Sequence, residues 1–351
     1  MNVRYEFAAY GARIISRPGY LVVDVGMTMA PGVLDHHFPE AEVECAASLV
    51  VKHPELVLDH LRPGGRPADA DGPVTIVTHL LPDFDGLAAI FLALRLLETG
   101  EVDEGMRRLA AYTKLVDSAS LPSTIDLGAT PYAILRALFV GSKKSTDEIN
   151  AERIDEGLKF MRLLYARAAE GRDITEDRSL FAGIDRYERA VRKVEQDNAW
   201  YQGDAHHARK IKLDLPNISG SGRTRVDGLI VDNPHSFLLK EWARRDRIGS
   251  PLGRGFSFVL TNFKAERFVL SVDQAIGVNL RGLGAALNAL EGIKNPDRPE
   301  GACWYEGNCP FFDYRIVVSP HEGTKLSPDE IVEAVMEYGR GPVKPNDRSQ
   351  G

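Results

Sequence analysis

The sequence predicts an α/β protein in two parts: a larger domain over residues 1–203, with a mostly parallel sheet, flanking helices and a helical connector, and a smaller α/β domain over residues 204–351. Three observations lead there. Short apolar runs alternate with helix-period segments through the first 130 residues, nearly everything from 132 to 203 has helical period, and strand signals then resume with a different rhythm. The chain has 351 residues, beyond the about 250–300 at which a single core stops growing.

Residues 20–25 (YLVVDV) read as a buried strand closed by Gly26, and residues 44–52 as a helix. Residues 62–73 (RPGGRPADADGP) have loop composition. The run VTIVT at 74–78 is the next buried strand, followed by a helix over 85–99 that Gly100 stops. Residues 106–116 stay in helical register. The helical stretch from 132 breaks at ITEDRSLF (174–181), and 187–202 form a long polar connector ending near Gly203. Beyond it, 208–215 and 228–231 read as strands, 236–244 as a helix, 256–261 and 268–272 as a strand pair, 280–290 as a helix and 314–318 as a strand. Ser327, Pro328 and Glu330 make a capped start to a last helix. The tail GPVKPNDRSQG has the composition of a disordered end.

With 44% hydrophobic and 26% charged residues and three Cys, the composition excludes disordered, collagenous and disulfide-built classes. The longest apolar run, 87–97, is interrupted by Arg95 and falls short of the about 20 residues a bilayer span needs. No membrane partner is expected. The N-terminus lacks the regions of a secretory signal, and scattered Cys suit a reducing compartment, so a cytoplasmic address is the expectation. The net charge of -7 is unevenly spread. Residues 21–104 hold fifteen Asp and Glu against four Lys and Arg, whereas 205–255 hold ten Lys and Arg against five Asp and Glu. The first region should draw cations and the second anions.

The chemistry concentrates in the acidic region. Directly after VTIVT comes His79-Leu-Leu-Pro-Asp83-Phe-Asp85-Gly86, which presents an imidazole and two carboxylates at the carboxyl edge of a parallel sheet, where such folds place ligands. Imidazole with carboxylate suits Mn²⁺, Mg²⁺, Fe²⁺ or Zn²⁺. The same two aspartates precede a helix, so helix capping is the alternative role. Asp24 ends an apolar strand, where burying an uncompensated carboxylate is expensive. Asp35-His36-His37 follows eleven positions later. Adjacent histidines project differently, so one can ligate a metal while the other meets an anion. Two other pairs, Asp59-His60 and His206-His207, lack a preceding apolar strand and read as surface or helix-end residues.

These residues resemble the DHH phosphoesterase superfamily, named for the Asp-His-His triplet that stands here at Asp35, His36 and His37. Its His-x-x-x-Asp-x-Asp block is matched by His79, Asp83 and Asp85, its strand-ending Asp by Asp24, and its Asp after a helix by Asp117. The blocks stand in a different order here, with Asp24 and the triplet ahead of His79. The resemblance implies a catalytic domain holding two divalent ions, Mn²⁺ first among them. Asp24 would bridge, His79 and Asp83 would complete one ion's ligands, and His36, Asp85 and Asp117 the other's. His37 and Asp35 become the candidate catalytic residues, with His37 also touching the substrate phosphate.

The C-terminal half resembles the family's smaller substrate-binding domain more weakly, through DGLIVDN and the segment FSFVLTNFKAERFVLSVDQAIGVNLRGLGAALNALEG. A glycine-rich, His-containing loop is missing from the region that follows. Arg281 is the candidate phosphate contact there, and Trp304, Tyr305, Phe311 and Phe312 are either core or a stacking surface for bases. Cys303 and Cys309 lack zinc spacing and read as small buried hydrophobes. The expected activity is hydrolysis of a phosphodiester or phosphomonoester in a small nucleotide or short oligonucleotide, with homodimerisation left open. A non-catalytic nucleotide sensor on the same fold and a single-strand exonuclease are the alternatives.

Overall fold

The structure is a computed structural model that describes residues 1–62, 64, 72–141, 146–220, 222–263, 267–299, 302–320 and 322–340. Most of the 62–73 loop and the C-terminal tail lie outside the described residues. The chain is α/β, with two mixed sheets. It divides into two units, Met1–Glu195 with Cys309–Phe311, and Gln196–Asn308 with Phe312–Gly351. The division falls between Glu195 and Gln196, inside the helix that also holds Gly203.

In the first unit, Val3, Tyr5 and Phe7 alternate with Arg4 and Glu6 to form β1 (Val3–Ala8), a strand not anticipated above. The apolar run YLVV forms β2 (Tyr20–Val23). Two short strands follow, β3 (Met29–Ala30) and β4 (Val33–Leu34), and VTIVTH forms the fully buried β5 (Val74–His79). The sheet order is β1-β5-β2-β4-β3. Only the β3–β4 junction is antiparallel. Central parallel strands are covered on both faces, which is why β2 and β5 read as continuous apolar runs.

Among the described residues, six α-helices lie wholly before α7 (Asp185–His207), the helix in which the chain divides. They are α1 (Ala46–Lys52), α2 (Glu55–Leu61), α3 (Phe84–Thr99), α4 (Glu104–Asp117), α5 (Pro131–Leu138) and α6 (Asp147–Ala169). The start of α3 is capped by Asp83, whose side chain accepts from the Asp85 and Gly86 N–H groups, and Gly100 ends it at φ 79°. The next helix, α7 (Asp185–His207), is the expected connector, and the chain divides within it.

The second unit carries β6 (Arg209–Pro216), β7 (Arg223–Asp232), β8 (Phe258–Phe263), β9 (Arg267–Val272), β10 (Tyr305–Glu306) and β11 (Ile316–Val318). They form one sheet in the order β10-β11-β9-β8-β7-β6, in which only β7–β8 is parallel. Its helices are α8 (Leu239–Arg245), α9 (Leu283–Lys294) and α10 (Pro328–Arg340). The expected cap on α10 forms reciprocally: Ser327 N–H donates to Glu330 Oε2 at 2.9 Å, and Glu330 N–H donates to Ser327 Oγ at 3.3 Å. Asp197 and Asp204 are buried on α7 and together accept the N–H groups of residues 235–238, fixing the turn before α8.

Gly157 shows how tightly the first unit packs. A Cβ there would lie 2.6 Å from both methyl carbons of the fully buried Leu87, so α6 and α3 meet only because no side chain intervenes. Gly157→Ala should lower stability by about 1–3 kcal/mol in chemical denaturation. Combined with Leu87→Ala, the loss should be smaller than the sum of the two single losses.

Candidate metal centre

The centre is assembled by strands that end in step. Val22 pairs with Val77 of β5 and with Val33 of β4, and Val23 pairs with Leu34. One residue further along, Asp24 therefore stands beside Asp35, and His79 ends β5 on the same side. Asp24 adopts φ 59°, a left-handed conformation rare for a non-glycine residue. The turn closes β2 two residues earlier than its apolar run suggests and sends the carboxylate inward, where it is 3% exposed.

Asp24 is the hub. His79 Nε2 lies 3.1 Å from its Oδ2, and His36 Nε2 lies 3.3 Å and His37 Nδ1 3.8 Å from its Oδ1. His36 Nε2 is also 3.7 Å from Asp85 and 3.6 Å from Asp117. Three ligand groups result, each with donor atoms within 4.8 Å of one another: Asp24, His36 and His37; Asp24, His79 and Asp83; His36, Asp85 and Asp117. All six expected metal ligands are thus drawn together.

The remaining expected residues take different places. Asp35 joins none of the three groups. Its carboxylate accepts from Met27 N at 2.6 Å, His36 N at 2.8 Å and His37 N at 3.3 Å, and it holds His37 Nδ1 at 2.7 Å. It fixes the orientation of the His37 ring. Arg281 is exposed in the second unit, stacked on Tyr314 and 3.7 Å from Asp313. Trp304 is core of the second unit, donating from Nε1 to the buried Glu291, whereas Phe311 groups with the first unit and sets its ring edge on His36. Cys309 is buried as expected, but Cys303 is exposed. His60 braces the turn before β2 through Ser16 and the Tyr20 carbonyl, and His206 and His207 end α7.

Capping and ligation turn out to be compatible roles. Asp83 Oδ1 caps α3, while the two oxygens of Asp85 accept from Ala46 N at 2.7 Å and Ala47 N at 2.9 Å at the start of α1. Each carboxylate oxygen has two lone pairs, so one can face an ion while the other receives an N–H. Gly86 leaves the space this requires. A Cβ there would stand 3.3 Å from Asp24 Oδ2 and 3.5 Å from His79 Nε2.

The electrostatics sort these groups into two kinds. Burial raises the Asp24 carboxyl, but His36 and His79 outweigh it and hold the group below the usual carboxylate range. Asp85 and Asp117 are pushed well above that range by burial and by neighbouring carboxylates. Asp117 also sits at the C-terminal end of α4, where the helix dipole disfavours an anion. Among the described residues, Asp24 Oδ1 and Asp117 Oδ2 are buried without a hydrogen-bond donor. Acceptors left in that state are costly, and bound cations would relieve them. The donor set therefore fits divalent ions.

Two residues at the centre carry no sequence signal of their own. Asn150, fully buried on α6, accepts from Leu81 N at 2.9 Å and secures a left-handed residue, φ 55°, between His79 and Asp83. Tyr10 stacks on the His79 ring at 4.3 Å.

No protein-family model matches the chain, and no curated protein matches its sequence.

Asp117→Asn removes a carboxyl whose ionisation the metal-free protein disfavours. It should stabilise the metal-free protein by about 0.5–2 kcal/mol while weakening Mn²⁺ binding, as read by denaturation and calorimetry. A pH dependence should accompany it. Burial lowers His37, but Asp35 and Asp24 raise it to about 8, and His79 is likewise raised by Asp24 and Asp83 against its burial. The stability these imidazoles give the metal-free protein is complete below about pH 6.5 and is lost as pH rises through about 8. Mn²⁺ competes with those protons, so the rise in Tm on adding Mn²⁺ should be larger at pH 8.5 than at pH 6.

Proposed function

We propose that the protein is a divalent-metal-dependent phosphohydrolase acting on a phosphoester in a small nucleotide or short oligonucleotide. The observation that carries this reading is the sharing of Asp24 and His36 among three ligand groups. Adjoining sites with common ligands suit two ions better than one. Asp24, His79 and Asp83 would hold one ion; His36, Asp85 and Asp117, with Asp24 between, would hold the other. Mn²⁺ is the first choice for this mixture of imidazole and carboxylate, ahead of Mg²⁺, Fe²⁺ and Zn²⁺. A bound ion pair would lower the pKa of a bound water and neutralise charge developing on phosphorus.

The chain's own residues supply the rest. Asp35 fixes the His37 ring so that it meets a phosphate oxygen through its other nitrogen. Asp83 and Asp85 stay ordered through the N–H groups they receive, so the ligand cage holds its shape before an ion arrives. The net charge of -7 favours a small anion over long nucleic acid, because repulsion of a polyanion grows with its length.

The test is turnover by the metal-free protein with Mn²⁺ restored, against bis(p-nitrophenyl) phosphate, p-nitrophenyl phosphate and a 5′-phosphorylated dinucleotide. Mn²⁺-dependent release of product from at least one is expected. Binding of metal and nucleotide without turnover of any would replace the hydrolase with a sensor. Asp24→Ala should lose metal and turnover together, by at least about a hundredfold. Asp35→Asn should keep the metal and lose about ten- to a hundredfold in rate, as removal of a positioning partner does.

A further inference from the structure

A cavity of about 730 Å³ opens in the second unit, and none of the metal-centre residues lines it. That volume is in the range of pockets that take small molecules. Its floor is apolar, made by Ile230, Leu260 and Phe268 from one face of β7, β8 and β9. One wall is a face of α7. Trp200, Gly203, Asp204 and His207 stand at i, i+3, i+4 and i+7, which is the spacing of a single helix face, and all four line the cavity.

Three features of this wall and rim point to an occupant. A Cβ at Gly203 would meet nothing within 4 Å, so the helix is bare between Trp200 and His207. Glycine inside a helix is destabilising relative to alanine, and no close packing at this position offsets that. The His235 side chain is 81% exposed, yet the buried Asp204 accepts from its backbone N–H at 2.8 Å and holds its Nδ1 at 2.9 Å. Fixing an exposed ring costs rotamer freedom and gains no packing. It does set the opposite nitrogen, Nε2, in one place at the cavity. Trp200 leaves 39% of its surface exposed beside the apolar floor, and Arg209 and His207 line the same cavity, both exposed. Among the described residues neither Arg209 nor His207 has a carboxylate partner, whereas the cavity's own acids are engaged: Asp204 by His235, Asp232 by Asn262 Nδ2 at 2.7 Å, and Asp329 in the first turn of α10. His207, Arg209 and His235 all belong to the basic segment 205–255.

We propose that this cavity is a binding site for a small anion that carries a planar ring, of the class of a nucleoside monophosphate. The ring stacks on the Trp200 indole over the apolar floor, in the space that Gly203 leaves open. The phosphate takes the donors of Arg209, His207 and His235. An aromatic face and charge-assisted donors in one cavity select a ligand that has both halves over either half alone. The inference is independent of the phosphohydrolase reading, because no residue of the metal centre takes part in it.

The experiment titrates AMP, GMP, CMP and UMP, and separately the matching nucleosides and inorganic phosphate, into the full chain in EDTA, so that ions at the metal centre hold no phosphate. Calorimetry reads affinity and indole fluorescence reads Trp200. At least one monophosphate should bind at a single site, at least about tenfold more tightly than its nucleoside or phosphate alone. It should quench a signal that Trp200→Phe removes. Arg209→Ala should weaken the monophosphate about tenfold while nucleoside affinity stays within about twofold. Gly203→Leu puts a side chain into open space and suits a helix better than glycine, so it should fold with an unchanged or higher Tm and abolish binding. No saturable binding of any of the four monophosphates, or binding that survives both Gly203→Leu and Arg209→Ala, would overturn the proposal. Turnover by the Mn²⁺-loaded protein is a separate measurement, so the hydrolase reading stands or falls apart from this result.

Discussion

A single buried carboxylate organises the first unit's chemistry. Asp24 sits at the end of a fully apolar strand, in a backbone conformation that costs about 1–3 kcal/mol, with three imidazoles arranged around it. A negative charge in such a place persists only where positive charge or hydrogen bonds compensate it. The surrounding acids then compete for the same compensation. Asp24, Asp35 and Asp83 are held below the ordinary carboxylate range, whereas Asp85 and Asp117 are held above it. Asp85, Asp117, His37 and His79 each hold a proton more tightly than usual, so metal binding would be an exchange of protons for ions.

The same hub joins residues that stand far apart in the sequence. Three adjacent parallel strands, β5, β2 and β4, direct their carboxyl ends to one edge, and each ends in a ligand-bearing turn. Which strand is threaded first changes the connections and not the rung on which the side chains stand. Asp117 arrives from a different direction, at the end of α4, and Asp85 is held from behind by α1. The cage is thus built from strand ends inward and helix ends outward, and sequence distance drops out of its geometry.

What the sequence made legible follows the strength of its local signals. The runs around 20–25 and 74–78 announced buried parallel strands because both faces are covered, and each ended at a polar residue that proved to point into the centre. The strand at 3–8 went unassigned although Val3, Tyr5 and Phe7 alternate with Arg4 and Glu6, the pattern of a half-buried edge strand. Strands of two residues, such as β3 and β4, are too short to leave a pattern. The helix at 55–61 went unassigned for a similar reason, being short and carrying no side-chain cap. Ligands grouped by spacing were readable in advance. Asn150 and Tyr10 were not, because each acts across a tertiary contact that no local periodicity encodes.

The dual use of Asp83 and Asp85 bears on how such a cage can fold before it holds any ion. Four converging carboxylates should repel one another and open the loop that carries them. Here the first N–H groups of α3 and α1 are spent on two of those carboxylates, so the partial positive ends of two helices stabilise the acids from the side away from the ligand space. Gly86 contributes by omission, allowing α3 to begin within reach of Asp24 without a side chain between them. Among the described residues, Asp24 Oδ1 and Asp117 Oδ2 are carboxylate oxygens of the centre that remain buried without a hydrogen bond. Capping therefore does not compete with ligation in this fold; it is what leaves the unsatisfied atoms where a cation has most to gain.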